Sequence, residues 1–503
     1  MVTFCTAFIL LILGYVIYGA FIEKMFGADK NRPTPAYTHQ DGVDYIPMRT
    51  WKVYLIQFLN IAGTGPIFGA IAGVLFGPAA YLWIVIGCIF GGAVHDYLSG
   101  MISLRKDGAS LPEIVGDELG NKGRLTMRVL SLVLMIMVGA VFVTTPASLL
   151  EGLTPTQGFW GSKTFWAVVI FIYYILATLL PIDVLIGRIY PLFGVALLFM
   201  AFGVSFGIFS QAGNMPEITD AFSNHHPGKL PLFPMMFITI ACGAVSGFHA
   251  TQSPMMARCL KSEKMGRRVF YGAMITEGVV ALIWAAAACK FGDALPGQGT
   301  PYEKLFAFLQ AHDNNPAAVV NTICQNWLGT IGAVLAVLGV VAAPITSGDT
   351  AFRAARLIMA DFLHYDQTTI KRRVIIAVPL FVIAAVIMNL NFDILWRYFA
   401  WLNQTLSIFT FWAITVWLAK EHKPFVLTMI PAMWMTCVCS TYILIAPKEG
   451  VAALMKGVAW WPTASYAFGL AVTALCAFVF LKWHKTYTAN NCNGGVKTQA
   501  VVE

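Results

Sequence analysis

The chain has 503 residues, 58% of them hydrophobic and 12% charged, with a mean hydropathy of +0.70. That composition excludes a soluble domain with a wetted surface and places the chain among polytopic membrane proteins. The formal charge of +8 is no nucleic-acid footprint, because the 33 lysines and arginines fall in short loops and no separate polar domain gathers them.

Along the chain, apolar stretches of about 20 residues, the helix length that crosses the hydrocarbon layer, begin near residues 3, 51, 79, 126, 163, 189, 232, 268, 325, 373, 397, 424 and 460. They predict an all-α protein of about 13 transmembrane helices. Strands of a membrane barrel would alternate polar and apolar over roughly ten residues, and these runs are continuous. The first run, Met1 to Ile22, has no Lys or Arg before it, and Glu23-Lys24-Met25-Phe26 offers no small-residue cleavage site. It reads as a retained anchor. The second run breaks at Asn60-Ile61-Ala62-Gly63-Thr64-Gly65-Pro66, where glycine and proline interrupt the helical ladder. Gly63 and Gly65 permit unusual backbone angles and close approach, and Thr64 adds a hydroxyl. A half-helix starting there points free N–H groups at the gap, a cradle for a carboxylate; alternatively the glycines serve only close helix packing.

Late in the third run stand His95 and Asp96, whose side chains leave a helix about 100° apart, so one supports the other rather than both facing one ligand. They suit a proton relay or a buried packing pair. The seventh run breaks between Ala241 and Pro254, and Gly243, Ser246, Gly247, His249, Thr251, Gln252 and Ser253 crowd into it. Polar density of this kind is costly in hydrocarbon unless it serves a ligand. His249 can bind substrate, carry a coupling proton, or be satisfied by a carbonyl at the helix break. Glu277, one span later, is an intramembrane carboxylate and a proton-site candidate. In the ninth run, Ala343-Pro344-Ile345-Thr346-Ser347-Gly348-Asp349 sets hydroxyls and a carboxylate beside a helix irregularity, the oxygen chemistry that hard cations favour. Asp349 also suits protonation, or an ion pair with Arg353 four residues on. The polar stretches at about 23–50, 104–125, 211–231 and 291–322 read as loops, and the tail after Tyr487 as disordered. Ten cysteines include no CxxC pair, so Cys88, Cys242, Cys289, Cys437 and Cys439 read as small packing residues.

With the N-terminus outside, inward loops hold 26 of the 33 basic residues, a separation that one span more or fewer would scramble. The C-terminal tail is then cytoplasmic. Five crossings separate the starts of the two broken runs, and an odd number inverts the second unit. Residues 51–231 form one five-span repeat and 232–420 its inverted counterpart. An extra span and loop (1–50) precede them, and two more spans (421–486) and the tail (487–503) follow. Corresponding breaks in two inverted halves point to a secondary transporter with its site at the breaks.

Four runs, Ile61-Ala62-Gly63-Thr64-Gly65-Pro66-Ile67, Gly91-Gly92-Ala93-Val94-His95-Asp96-Tyr97, Arg105-Lys106-Asp107-Gly108-Ala109-Ser110-Leu111 and Thr239 through His249, carry a family resemblance. Over roughly residues 50 to 420 the chain resembles the carbon starvation protein A (CstA) family. The resemblance implies a bacterial inner-membrane carrier of pyruvate or small peptides, grouped with the amino acid-polyamine-organocation superfamily and so with a LeuT-like five-plus-five inverted repeat. It also implies a sodium site at Thr346 and Ser347, with a carbonyl from Ala343 and backbone around Ala62 completing it. The expected function is import of a small carboxylate-bearing nutrient by H+ or Na+ symport, pyruvate ahead of short peptides. Its substrate would sit at Gly63, Thr64, Gly65, Pro66 and the second break. The expected partners are that small molecule and the bilayer; no metal, organic cofactor or nucleic acid is expected. A channel or a nutrient sensor without coupled flux shares the architecture. A metal-dependent membrane hydrolase stands further back, as the sequence has no HExxH, GxSxG or P-loop.

Overall fold

The computed structural model describes residues 1–494 apart from 43, 155–157, 180, 181, 212, 216, 368, 391, 448, 449, 456 and 457. Among these residues the regular structure is all helical. The first half comprises α1 (Val2–Phe26), the bent pair α2 (Thr50–Ile61) and α3 (Gly65–Phe76), α4 (Ala79–Arg105), α5 (Leu111–Leu153), α6 (Lys163–Leu179) and α7 (Ile182–Ser210). The second opens with another broken pair, α8 (Leu232–Thr239) and α9 (Gly247–Ala257), followed by α10 (Glu263–Ala294), α11 (Pro301–Ala311), α12 (Ala317–Leu335) and α13 (Ala342–Leu363). It ends with α14 (Ile370–Ile387), α15 (Phe392–Lys420), α16 (Val426–Ile445) and α17 (Trp461–Gly494). Eight helices among the described residues are long and apolar enough to cross a membrane, nine if the bent pair α2 and α3 is one span. The protein is a multi-pass membrane protein, and every apolar run read from the sequence falls on one of these helices or helix pairs.

Three stretches expected as loops hold helix, the shortest a single turn at Pro35–Thr38. α5 already begins at Leu111, with Pro112 in its first turn, and departs from helical geometry only at Gly120 (φ 84°). α11 starts from a capping box in which Thr300 and Glu303 satisfy each other's backbone amides. The last helix runs to Gly494, past Tyr487. Lys448, Lys456 and Lys497, which entered the loop charge count, lie outside the described residues.

α4 and α10 are almost wholly buried, whereas α1 and α17 turn most of their apolar side chains outward, as lipid-facing helices do. The breaks come together through a stripe of glycines on α3. A Cβ on Gly65 would lie 2.4 Å from Cys242 Sγ, one on Gly69 2.8 Å from the Thr239 carbonyl oxygen, and one on Gly73 2.2 Å from Ile240 Cγ1. Glycines four residues apart let α3 press its backbone against the second break. The unusual angle expected at Gly63 and Gly65 is found instead at Gly243 (φ 91°); the first-break glycines are needed for close approach.

At the end of the bundle rich in lysine and arginine, the segment after α1 is strapped onto the helix ends. Glu263, fully buried, takes both Nε and Nη2 of Arg105 at 3.0 Å, Arg32 at 3.5 Å and the Asp29 amide at 2.8 Å. Arg105 also donates to the Gly27 carbonyl at 2.7 Å and stacks over the Phe26 ring.

Candidate functional site

The first break, Ala62 to Thr64, runs between two polar clusters: a Cβ at Gly65 meets Cys242 on one side, and one at Gly63 would lie 3.4 Å from Ser347 Oγ on the other. Each cluster is built from residues of helices distant in sequence.

The first joins α4, α9 and α10. The helical angle between consecutive residues keeps His95 and Asp96 from facing one ligand, and the Asp96 carboxylate resolves this by using one oxygen for each imidazole. His95 Nδ1 lies 2.9 Å from Asp96 Oδ1, and His249 Nδ1 lies 2.8 Å from Asp96 Oδ2. The other ring nitrogen of His249 lies 3.3 Å from Glu277 Oε2. All four side chains are fully buried, so His95, Asp96, His249 and Glu277 form a continuous titratable chain inside the bundle. Cys242, His249 and Glu277 bring their ligand atoms within 4.8 Å of one another, a set able to hold a metal that no spacing along the chain announces.

Asn403 on α15, which the sequence reading passed over, holds the second break in shape. Its Oδ1 accepts from the Phe248 amide at 2.6 Å and the Ser246 hydroxyl at 3.1 Å, and its Nδ2 approaches Cys242 Sγ at 3.7 Å. A Cβ at Gly247 would stand 2.3 Å from the Asn403 carbonyl oxygen, so the backbones of α9 and α15 touch there. Ser253 caps the His249 carbonyl at 3.0 Å and receives Gln57 at 3.5 Å. Gln252 Nε2 donates to the Thr251 hydroxyl at 3.0 Å, and both side chains turn toward Met135 of α5. Of the residues proposed at the second break, His249 therefore joins the titratable chain, while Ser246, Gly247 and Ser253 shape the backbone around it.

The second cluster joins α2, α7 and α13. Ser347 Oγ has the Leu59 and Asn60 carbonyl oxygens at 3.1 Å and that of Ala343 at 3.0 Å, while Thr346 donates to Ala343 at 2.7 Å. One hydroxyl proton serves only one of three carbonyls, which makes this a convergent set of oxygens. The carbonyls come from Leu59 and Asn60, two to three residues before Ala62, because the last turn of α2 aims them at α13. Asp349 accepts from the Tyr190 hydroxyl at 2.6 Å, and Arg353 donates to the Ala177 carbonyl at 2.9 Å. Among the described residues, Thr64 Oγ1, both side-chain polar atoms of Asn60 and Asp349 Oδ1 are buried without a hydrogen-bond partner. His249 Nε2 and both Glu277 oxygens are open in the same way, so a ligand at either cluster would find polar atoms free to receive it.

A cavity of about 340 Å³ opens over the C-terminal end of α3 and the N-terminal end of α8, lined in part by Ala72, Phe76, Thr239, His226 and Arg397. Burial, with Arg397 nearby, pushes the His226 pKa down to about 4, so this imidazole is uncharged at neutral pH.

Residues 1–160 and 150–296 match the family model described as carbon starvation protein CstA. An uncharacterized membrane protein of Haemophilus influenzae is 46% identical over 335 residues, covering 57% of this chain and 90% of its own. The peptide transporter CstA of Bacillus subtilis is 31% identical over 58% of this chain and 59% of its own length. The pyruvate/proton symporter BtsT of Escherichia coli is 28% identical over 55% of this chain and 47% of its own. The chain thus spans about half the length of these relatives with named activities. A manganese transporter of Eremococcus coleocola, solved with an aromatic bis-isothiourea compound, superposes with a TM-score of 0.57 at 13% identity, over 88% of this chain and 98% of that one. At that identity the likeness is one of fold.

Proposed function

The chain belongs to the carbon starvation protein CstA family, and we propose that it is a secondary active transporter importing a small carboxylate-bearing nutrient by proton symport. The observation that carries this reading is the buried chain His95, Asp96, His249, Glu277 beside both breaks. His249 hydrogen-bonds Asp96 through Nδ1, and its Nε2 lies 3.3 Å from Glu277 Oε2 without a hydrogen bond, so a proton on this imidazole would sit between two carboxylates. A substrate carboxylate at the N-terminal end of α3 would lie across Gly65 and Cys242 from that chain, with the open Thr64 hydroxyl and Asn60 amide as its partners. An anion there favours a proton on the neighbouring groups, and the proton favours the anion, which is reciprocal coupling between the two ligands. Pyruvate leads short peptides as the substrate class, because every residue of both breaks is buried, which favours a small anion.

Alternating access would rock one bundle against the other around the breaks, with 51–231 and 232–420 as inverted LeuT-like five-span repeats. Thirteen crossings and an outer N-terminus agree with the segregation of basic residues, and the inner-membrane location rests on the family alone. Uptake of pyruvate into proteoliposomes tests the reading, with an inward proton gradient set against an inward sodium gradient at matched potential. Concentrative uptake under the proton gradient is the expected result. No uptake under either, from folded protein, would remove pyruvate and move short peptides, then a sensor without coupled flux, to the front.

The oxygen cluster at Ser347 favours a second reading with sodium as the coupling ion. If sodium drives uptake, Thr346→Ala should raise its half-saturating concentration about tenfold, the loss of one contact of roughly 1.4 kcal/mol, with substrate affinity kept. A sodium response equal to wild type would empty that site of its cation.

A further inference from the structure

At the basic end of the bundle a groove of about 600 Å³ lies between α1, the start of α2 and the start of α10. Its deep wall is apolar, with Ile12 of α1 facing outward and Ile275 of α10 behind it. Trp51, 52% exposed, and Tyr15 flank it, the aromatic types that settle at a membrane surface. Arg268 lines it, is exposed, and makes no hydrogen bond or ion pair among the described residues. Among the described residues no acidic side chain lines the groove. The nearest carboxylate on α1, Glu23, is engaged by Arg267 at 3.2 Å and by Lys264 at 3.9 Å. On its floor the Tyr54 hydroxyl meets that of Thr276 at 2.6 Å.

We propose that this groove is a binding site for one anionic phospholipid of the surrounding bilayer, with its phosphate on Arg268 and an acyl chain along Ile12 and Ile275. An unpaired guanidinium at the mouth of a largely apolar slot between helices selects an anion that carries hydrocarbon, and a bilayer supplies it. Arg268 and Thr276 are eight residues apart on one helix, about 12 Å along its axis, so headgroup and chain occupy successive depths. The site touches the transport machinery at two points. Tyr54 belongs to the inner half of the first broken span, and Thr276 adjoins Glu277. A lipid seated there braces α2 against α10, and its binding is expected to change the rate of uptake; only that last effect rests on the transporter reading.

The test is retention of phosphatidylglycerol against phosphatidylethanolamine by the purified full-length chain, read by mass spectrometry of the intact protein after exchange into mixed vesicles. Wild type and Lys261→Gln, an exposed charge outside the groove, should retain phosphatidylglycerol preferentially. Arg268→Gln and Ile12→Trp, which fills the slot from the lipid-facing helix without touching the charge, should each lose most of that preference. Equal retention by all four overturns the site. Loss in Arg268→Gln with full retention in Ile12→Trp also overturns it, leaving only diffuse charge attraction. Retention is scored without any transport, so a failed uptake assay leaves the result standing.

Discussion

Asp96→Asn is expected to reduce proton-driven uptake by about 100-fold while leaving substrate exchange at equal pH on both sides largely intact. The substitution keeps the volume and removes the charge that two imidazoles share at 2.9 and 2.8 Å. Hydrogen bonds to a charged group contribute roughly 1.5–3 kcal/mol each against about 0.5–1.5 for neutral ones, so losing the ionic character of two in a buried site amounts to about two decades. Exchange asks only that the loaded carrier cross and return, and a neutral amide can still hold His249 in place by accepting at one oxygen. The measurement is uptake under an imposed pH gradient beside counterflow without one, with thermal unfolding in detergent to show that the variant is folded. Wild-type concentrative uptake in Asp96→Asn would end the relay reading.

Gly65→Ala should lower uptake by at least an order of magnitude, and Cys242→Gly in the same chain should restore most of it. The new methyl would lie 2.4 Å from Cys242 Sγ and 2.5 Å from its Cβ. Overpacking of that kind costs roughly 1–3 kcal/mol, and α3 would relieve it by moving away from the second break. Removing both Cys242 atoms relieves the clash at its source, leaving the Thr239 and Ile240 contacts of Gly69 and Gly73 to seat the helix. Failure of the double variant to recover would mean that the methyl blocks the anion itself and that Gly65 borders the ligand directly.

Much of this site is legible in the sequence because hydrocarbon makes irregularity expensive. Glycine and proline inside two apolar runs, and His249, Asp96 and Glu277 in spans that otherwise exclude charge, stand out on cost alone. Partnership is less legible, since it depends on how distant helices are rotated against each other. Asp349 looks toward Arg353 on a helical wheel, yet its carboxylate takes the Tyr190 hydroxyl from α7. Cys242 reads as a packing residue, and it does pack against Gly65, but in space it also joins His249 and Glu277. Asn403 carried a signal that went unused, as an Asn-Gln pair in an apolar run meets the same cost argument as the histidines. α11 likewise announces itself in Thr300-Pro301-Tyr302-Glu303, a capping box inside a stretch whose polarity suggested a loop.

The cluster around Glu263 bears on which end of the molecule yields first. The closure there is made of ions, backbone amides and the Phe26 ring under Arg105, whereas the two breaks meet through glycine faces and apolar side chains. Separating packed apolar surfaces exposes them to water and costs free energy in proportion to area. Separating Arg105 and Arg32 from a carboxylate instead trades protein partners for water, and hydration recovers most of what is lost. The basic end is thus a seam held in large part by charges whose partners water can replace, around the buried ring of Phe26.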